Sequence, residues 1–157
     1  MRTHRLLINL VLGAALLGSN SCNCKGSESD ETSALSGKPV HETETFKLVI
    51  EPTAAYQPGK EGAVVVRLTP KGAYKVNKEY PFRFECQNPP SEGVSYPQPT
   101  VAQSEGKIEE REAVFMVPLV PNKSGKLQVG GVFSLSVCND DRCVLDKRNL
   151  VTEVSVP

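Results

Sequence analysis

The chain has 157 residues, a length that allows one domain of ordinary size plus shorter segments. Its 18 basic and 18 acidic residues cancel, so no overall field favours nucleic acid or an anionic substrate. The basic residues are also scattered and not interleaved with aromatic side chains, which argues against nucleic-acid binding. The two histidines, His4 and His41, precede the predicted domain, so a histidine-dependent triad or metal site within it is excluded.

The N-terminal segment has the pattern of an export signal. Arg2 and Arg5 precede an unbroken apolar run over residues 6–17, which small polar residues follow. A basic start, an apolar run and small residues before a cleavage site predict a secretory signal peptide over residues 1–21. The run is shorter than the roughly 20 apolar residues that a membrane-spanning helix needs.

A cysteine directly follows these small residues. Cys22 therefore resembles the acylated first residue of a bacterial lipoprotein, and we predict a chain anchored by lipid on Cys22 in the periplasm or cell envelope. Ordinary cleavage at the same bond is the alternative, because Ser19 and Ser21 satisfy a small-x-small rule. Cys24 is a weaker candidate for the lipid, since Cys22 lies just before it.

A polar stretch separates the predicted signal peptide and Cys22 from the predicted domain. Residues 25–45 are rich in Ser, Thr, Glu and Lys and have no apolar periodicity, so they cannot bury enough surface to order themselves. We therefore predict that residues 22–45 are the lipidated N-terminus and a flexible tether, and that one domain spans residues 46–157.

The domain itself has the patterning of a β-sandwich. Phe46, Leu48 and Ile50 alternate with more polar positions, as in a strand with one buried face. Similar short runs recur between Pro- and Gly-rich turns. They are residues 46–51, 63–69, a broken strand over 74–77 and 81–86, residues 111–119, residues 127–132 leading into a hairpin with two cysteines, and residues 150–156. About seven short strands without a convincing helix predict an all-β, immunoglobulin-like antiparallel sandwich. The pair Gly130–Gly131 is consistent with a β-bulge.

One cysteine of the domain is expected inside it. Phe82, Phe84 and Cys86 share one face of a predicted strand, while Arg83 and Glu85 share the other. Cys86 is therefore predicted to be a buried thiol that acts as a small hydrophobe and has little reactivity.

The other two cysteines flank the loop of a predicted hairpin. Apolar residues alternate with serines and Cys138, a four-residue polar loop follows over 139–142, and Cys143 begins the return strand. Cysteines opposite each other in a non-hydrogen-bonded pair have Cα atoms about 4.5 Å apart, within disulfide range. Because Cys138 shares its face with the serines, we expect its sulfur to point away from the core, toward solvent or a covering loop.

Such a pair has two uses. In an exported chain two nearby cysteines most simply form a structural disulfide, although a ring of six residues stabilises the fold by only roughly 2 kcal/mol. Exposure and a small ring also favour an exchangeable, redox-active bond. A metal site built from Cys138, Asp140, Asp141 and Cys143 is a weaker reading, because two thiolates need two further ligands and histidine is lacking. No metal and no cofactor are predicted.

Several motifs, taken together in order, point to a known family. They are Tyr74-Lys-Val-Asn77, Pro81-Phe-Arg-Phe84, Glu92-Gly-Val94, Val117-Pro-Leu119 and Ser136-Val-Cys-x4-Cys-Val144. In this order they resemble the N-terminal periplasmic domain of DsbD-type thiol:disulfide interchange proteins, over roughly residues 46–157. The resemblance implies an immunoglobulin-like sandwich in which Cys138 and Cys143 are the exchanging, catalytic pair, which in that family passes electrons from a thioredoxin-like domain to periplasmic disulfide partners.

Two functions follow from these observations. The first is a periplasmic thiol–disulfide exchange module that acts on thioredoxin-like or other periplasmic proteins and touches the membrane only through its lipid anchor. The alternative is a non-catalytic envelope lipoprotein whose sandwich binds a partner and whose Cys138–Cys143 disulfide only pins the hairpin. The sequence leaves open whether the chain is an oxidoreductase.

Overall fold

A computed structural model describes residues 36–157 with the exception of Ala54. Eleven β-strands and one 3-10 turn, Gln103–Glu105, make up its regular structure, and these described residues contain no α-helix. The strands are β1 (Val40–Glu42), β2 (Phe46–Pro52), β3 (Gly62–Pro70), β4 (Lys75–Val76), β5 (Arg83–Cys86), β6 (Val94–Ser95), β7 (Thr100–Ala102), β8 (Lys107–Ile108), β9 (Ala113–Pro121), β10 (Gly125–Cys138) and β11 (Cys143–Val156).

The strands form two antiparallel sheets. The first has the order β1-β2-β3-β9-β6, with β8 also paired to β9. The second has the order β11-β10-β5-β7, with β4 paired to β10 beyond the end of β5. The predicted all-β, immunoglobulin-like antiparallel sandwich is therefore confirmed. Several of the strands have only two or three residues, which is why the sequence pattern indicated about seven.

The core between the sheets is made by the alternating apolar positions of the long strands. Phe115 of β9, Phe133 of β10 and Phe82, just before β5, form its aromatic centre, with ring centroids 5.1 to 6.2 Å apart. Branched aliphatic residues from both sheets surround these rings and are buried as well. Such offset and edge-on aromatic contacts add to the stabilisation that burial itself provides.

The second sheet is organised by one long hairpin. β10 and β11 have 14 residues each and pair one-to-one from Gly125–Val156 to Cys138–Cys143. The predicted bulge at Gly130–Gly131 is wrong, because both residues keep this register. Glycine is needed there for close approach instead: a Cβ atom would meet the carbonyl oxygen of Leu150 at Gly130 and that of Glu85 at Gly131.

Regular structure also begins earlier than the sequence indicated. β1 lies within the stretch predicted to be a tether and pairs with β2 from Val40–Val49 to Glu42–Lys47. Just before it, Lys38 forms a parallel bridge with Leu150 of β11. Backbone hydrogen bonds to existing strands order this polar segment, and such bonds need no apolar periodicity. None of the helical structure in residues 36–157 is long and apolar enough to cross a membrane.

Candidate functional site at the hairpin tip

Cys138 and Cys143 are the last pair of the β10–β11 ladder and form a disulfide, with their Cα atoms 4.0 Å apart. The Asn139 amide donates a hydrogen bond to the Arg142 carbonyl oxygen at 2.9 Å, so the next pair outward is hydrogen-bonded. Hydrogen-bonded and non-hydrogen-bonded pairs alternate in an antiparallel ladder. The cysteines therefore occupy a non-hydrogen-bonded pair, as expected, where two Cα atoms come closest.

The polar loop holds this geometry through one asparagine. The side-chain oxygen of Asn139 accepts hydrogen bonds from the amides of Asp141, at 3.1 Å, and Arg142, at 2.8 Å. This is the local turn geometry for which Asn is well suited. Asp140 and Asp141 are exposed turn residues.

The two cysteine residues differ in exposure. Cys138 is half-buried, whereas Cys143 is exposed. Alternation along β10 places Cys138 on the outer face of the sheet, because Leu135 and Val137 point into the core. The disulfide thus lies outside the core, as its phase in the sequence predicted.

The serines on the same face are nevertheless buried. Ser134 is flanked by Arg83 of β5 and Lys147 of β11, whose long side chains can cover it. Ser136 lies opposite Leu145 and accepts a hydrogen bond from the side-chain amide of Asn77 at 3.3 Å. The small side chains of Ser134 and Ser136 therefore leave a shallow depression next to the disulfide, between longer side chains on both neighbouring strands.

The segment at β4 contributes two side chains to the tip. Arg142 Nε donates a hydrogen bond to the Tyr74 hydroxyl at 3.0 Å, and this bond raises the pKa of the guanidinium. The Tyr74 ring packs against the core, so the contact ties the loop to the sandwich.

The second of these side chains is a lysine next to the disulfide. Lys75 is the cross-strand neighbour of Cys138, and the Glu110 carboxylate raises the pKa of Lys75 through a hydrogen bond and its charge. A fixed ammonium beside a cysteine favours the thiolate that reduction would produce. Glu110 and the nearby charge of Asp140 oppose this effect.

Cys86 takes no part in the site. It is buried in the core cluster, and its thiol donates a hydrogen bond to the Gln98 carbonyl oxygen at 3.5 Å. Burial raises the pKa of the Cys86 thiol to about 11. The prediction of a buried, unreactive thiol is confirmed in its burial, and the raised pKa explains the low reactivity expected.

Other kinds of site receive little support. Within residues 36–157, Ala54 apart, no group of three or more His, Cys, Asp or Glu residues could hold a metal ion. A groove of about 790 Å³ lies beside β5 and β7 and is lined by Lys78, Arg83 and Gln103 among others. It contains no cysteine or histidine, and it does not include the disulfide.

The remaining candidate residues, Cys22 and Cys24, lie outside the described residues, as does His4. Comparison of the chain with protein-family models and with curated proteins finds no match in either set. The function of the site is therefore inferred from the arrangement of its own residues and from the sequence resemblance.

Sequence reasoning identified the two cysteines but not their neighbours. Tyr74 and Lys75 lie more than 60 positions before Cys138 in the chain, and only the pairing of β4 with β10 brings them to the tip. Tyr74 was part of a recognised motif, but that motif gave no hint of its contact with Arg142.

Proposed function

We propose that Cys138 and Cys143 form an exchangeable disulfide through which this chain passes electrons to or from partner proteins. The observation that carries the proposal is the position of the disulfide. It closes an exposed hairpin tip on the outer face of the sheet, and Cys143 is an exposed residue. Exposed disulfides are reduced and exchanged more easily than buried structural ones. The resemblance to the DsbD-type periplasmic domain supports the same function.

The exchange proceeds in two balanced steps. A partner thiolate attacks the sulfur of Cys143, a mixed disulfide forms, and Cys138 leaves as a thiolate that takes up a proton. A second partner thiol then attacks the mixed disulfide and releases Cys143 as a thiol. Two electrons and two protons pass to the chain, and the partner gains a disulfide. The reverse sequence reduces a partner disulfide at the expense of the two thiols.

The geometry supports this order of events. Cys143 is the more exposed of the two residues, so we expect an incoming thiolate to attack there, while Cys138 has Lys75, whose ammonium is ion-paired with Glu110, as its cross-strand neighbour, and a positive charge nearby favours a departing thiolate. The Asn139 turn and the contact between Arg142 and Tyr74 keep the strand ends together. The two thiols therefore stay close enough to re-form the bond.

The proposed setting is the periplasm or cell envelope of a bacterium, with the chain held to a membrane by lipid on Cys22. Its partners would be thioredoxin-like or other periplasmic proteins. Intact mass after expression in a bacterial host tests the anchor. We expect an acylated product that begins at Cys22 and partitions into detergent; an aqueous product without acyl mass would exclude it.

The reduction potential of the disulfide tests the function. The full chain with Cys22→Ser and Cys24→Ser is equilibrated with glutathione buffers, and its thiols are trapped and counted by mass; buried Cys86 provides an internal count of one. We expect a midpoint between about −180 and −270 mV, the range of exchange proteins, whereas structural disulfides lie below about −300 mV.

Single cysteine variants complete the test. Cys138→Ala leaves the exposed Cys143 thiol, and we expect it to accumulate a mixed disulfide with an oxidised thioredoxin-like protein. Cys143→Ala is the matched control and should accumulate less, because its remaining thiol is half-buried. A potential below about −300 mV together with no mixed disulfide in either variant would leave the alternative, a non-catalytic sandwich with a structural disulfide.

A further inference from the structure

The outer edge of β11 is open next to the disulfide. Among the residues that the structure describes, β11 pairs with β10 along its whole length, but on its other side only the bridge from Lys38 to Leu150 is formed. That bridge identifies which backbone groups point outward: Lys38 donates to the Asn149 carbonyl oxygen and accepts from the Val151 amide. Because outward direction alternates along a strand, Cys143, Leu145 and Lys147 also direct their amide and carbonyl groups to this edge.

The open stretch has defined ends. Lys38 covers the edge at Asn149 and Val151, and the side chain of His41 bonds to the Asn149 carbonyl oxygen at 2.8 Å. Within the stretch, one outward amide is already occupied, since Lys147 donates to the Asp146 carboxylate at 2.7 Å. Two amides, of Cys143 and Leu145, and the three carbonyl groups of Cys143, Leu145 and Lys147 have no backbone partner at this edge among residues 36–157 and are left for another strand.

The side chains along this edge have a distinct chemistry. Those of Cys143, Leu145 and Lys147 share the outer face of the sheet with the disulfide, since they alternate with Val144, which packs against the core. Leu145 is 65% exposed, one of the few large apolar side chains of the described chain that are. Lys147 forms no ion pair within residues 36–157, whereas the neighbouring Arg148 is paired with Asp146 at 2.6 Å.

We propose that the edge Cys143–Lys147 of β11 is a docking site for an extended segment of a partner protein, which adds to the sheet as an antiparallel strand. The segment carries an acidic residue opposite Lys147, an apolar residue opposite Leu145 and a cysteine opposite Cys143. Addition of a strand to a free sheet edge is a recurrent mode of peptide recognition, in which backbone bonds give affinity and alternate side chains give specificity. The cysteine in the segment rests on the exchange function proposed above, whereas the edge itself does not.

Strand addition would also position the reacting sulfur. Residues opposite each other in a hydrogen-bonded antiparallel pair have Cα atoms about 5.5 Å apart, within the range that a disulfide spans. The partner cysteine and Cys143 would share one face, so the partner thiolate is placed against the exposed sulfur. The docked strand thus aligns the partner thiolate with the Cys143 sulfur, whereas a small thiol reaches that sulfur only by random collision.

Two other occupants fit the edge less well. The described residues Ser36 and Gly37 do not extend the Lys38 bridge along this edge, because they make no backbone hydrogen bond to Lys147. A second copy paired antiparallel about Leu145 would place Arg142 of one chain opposite Arg148 of the other, and like charges directly opposite are destabilising. A partner with an acidic residue meets Lys147 without such a conflict.

The test uses blocked peptides with the sequence Glu-Thr-Val-Thr-Cys and, to measure binding without exchange, Glu-Thr-Val-Thr-Ser. The protein is the oxidised full chain with Cys22→Ser and Cys24→Ser. In the proposed register the valine amide faces β11, whereas the amide of the second threonine faces away. N-methylation of the valine should weaken binding of the serine peptide about tenfold, through loss of a backbone hydrogen bond and steric contact. N-methylation of the second threonine is the matched control and should leave binding unchanged.

Two protein measurements accompany the peptides. Amide resonances of Cys143, Leu145 and Lys147 should shift on binding. Leu145→Pro removes an outward amide without removing a bond to β10, so it should reduce binding by about tenfold, as N-methylation of the valine does. If this variant does not fold, the difference in binding between the two N-methylated peptides is sufficient to test the docking site.

The outcomes separate docking from exchange. Equal binding of the two N-methylated peptides would overturn the docking site, as would a concentration-dependent dimer that blocks the edge, or tighter binding after removal of the residues before Ser36. With the cysteine peptide, mixed-disulfide formation should be faster than with glutathione. Binding that depends on the facing amide, in a chain whose disulfide exchanges with neither thiol, would support the docking site and refute the exchange function.

Discussion

The β10–β11 hairpin is one strand pair in one register, yet its tip and the rest of it, from Gly125 to Ser134 of β10 and here called the base, have different surroundings. In the base, β10 pairs with β5 on one side, β11 is bridged by Lys38 on the other, and Phe133 packs in the core. At the tip, the only described strand beside β10, apart from β11, is the two-residue β4, and no described strand pairs with the outer edge of β11. The buried contacts of the base stabilise the fold, whereas the tip exposes the disulfide.

This difference explains how an exchangeable bond of the kind proposed would coexist with a stable fold. The sandwich is held by buried apolar surface and a continuous ladder, and neither depends on the disulfide. A tip that opens, exchanges and closes again disturbs few buried contacts. Local opening of this kind is expected where backbone groups are exposed and apolar contacts are few. Mutations and solution conditions should therefore act very differently at the two ends.

The largest expected effect comes from the base. Phe133→Ala removes a fully buried ring that stacks on Phe82 and meets Phe115 edge-on, and should lower the free energy of unfolding by about 3–5 kcal/mol. Denaturant unfolding monitored by circular dichroism measures this. Met116→Ala, at a side chain 51% exposed, is the control and should change stability by less than about 0.5 kcal/mol. Similar losses for both would contradict the assignment of the core.

The second effect is a loss of stability in alkali. Burial raises the pKa of the Cys86 thiol from 9.0 to about 11, so the folded state holds its proton more tightly than the unfolded state. The resulting stabilisation is present below pH 9 and is lost as the pH rises toward 11, for a total of about 3 kcal/mol.

The variant Cys86→Ala isolates this contribution. Lysines and tyrosines titrate in the same range in both chains, so the difference in unfolding free energy between wild type and variant reports on the thiol alone. We expect that difference to shrink between pH 9 and 11. A difference that stayed constant with pH would show that the thiol is not held protonated by burial.

The third effect is confined to the tip. Reduction of the disulfide opens a ring of six residues and should lower the free energy of unfolding by roughly 2 kcal/mol. Hydrogen exchange should speed up at Val144, whose amide faces β10, and at Arg142, while the amide of Phe133 stays protected. The double variant Cys138→Ala with Cys143→Ala serves as control and should not respond to reductant. Loss of protection along the whole hairpin would mean that tip and base unfold as one unit.

The sequence carried enough information for the fold class and the two cysteines, since alternation shows directly where a strand buries one face. Phe133 and Val137 fall in phase, and Cys138 falls out of phase with them, which placed the sulfur on the outer face. The alternation could not show that the serines on that face are buried, because cover comes from neighbouring strands. Ser136 is shielded by Asn77 and Leu145, and strand neighbours are not encoded locally.

The same limit applies to the surroundings of the site. Lys75 and Tyr74 reach the tip through a pairing of two residues, too short to leave a periodic signal. Glycine in a strand indicates either a bulge or a close approach of another backbone, and the sequence favoured a bulge at Gly130. Only the three-dimensional structure distinguishes the two cases. The edge of β11 is open because no described strand pairs with it beyond the Lys38 bridge. The sequence pattern of one strand does not show which other strands will lie beside it.

The smallest expected effects compare one change at both ends of the hairpin. At the base, the Tyr96 hydroxyl donates to the Gly130 carbonyl oxygen at 3.3 Å and accepts from the Gly130 amide at 3.0 Å. Burial raises the pKa of this hydroxyl to about 12. Tyr96→Phe leaves the Gly130 amide without its partner and should cost about 1–2 kcal/mol of stability.

At the tip, Tyr74→Phe deletes the same atom but frees only the exposed Arg142 side chain, which water solvates instead. The unfolding midpoint should therefore stay where it is, whereas amide exchange at Asp141 and Arg142 should rise severalfold, because the loop loses its tie to the sandwich. Denaturant unfolding and hydrogen exchange on both variants measure the contrast. If Tyr74→Phe destabilised the fold as much as Tyr96→Phe, the tip would be part of the cooperative core, and a disulfide that opens without disturbing the sandwich would lose its structural basis.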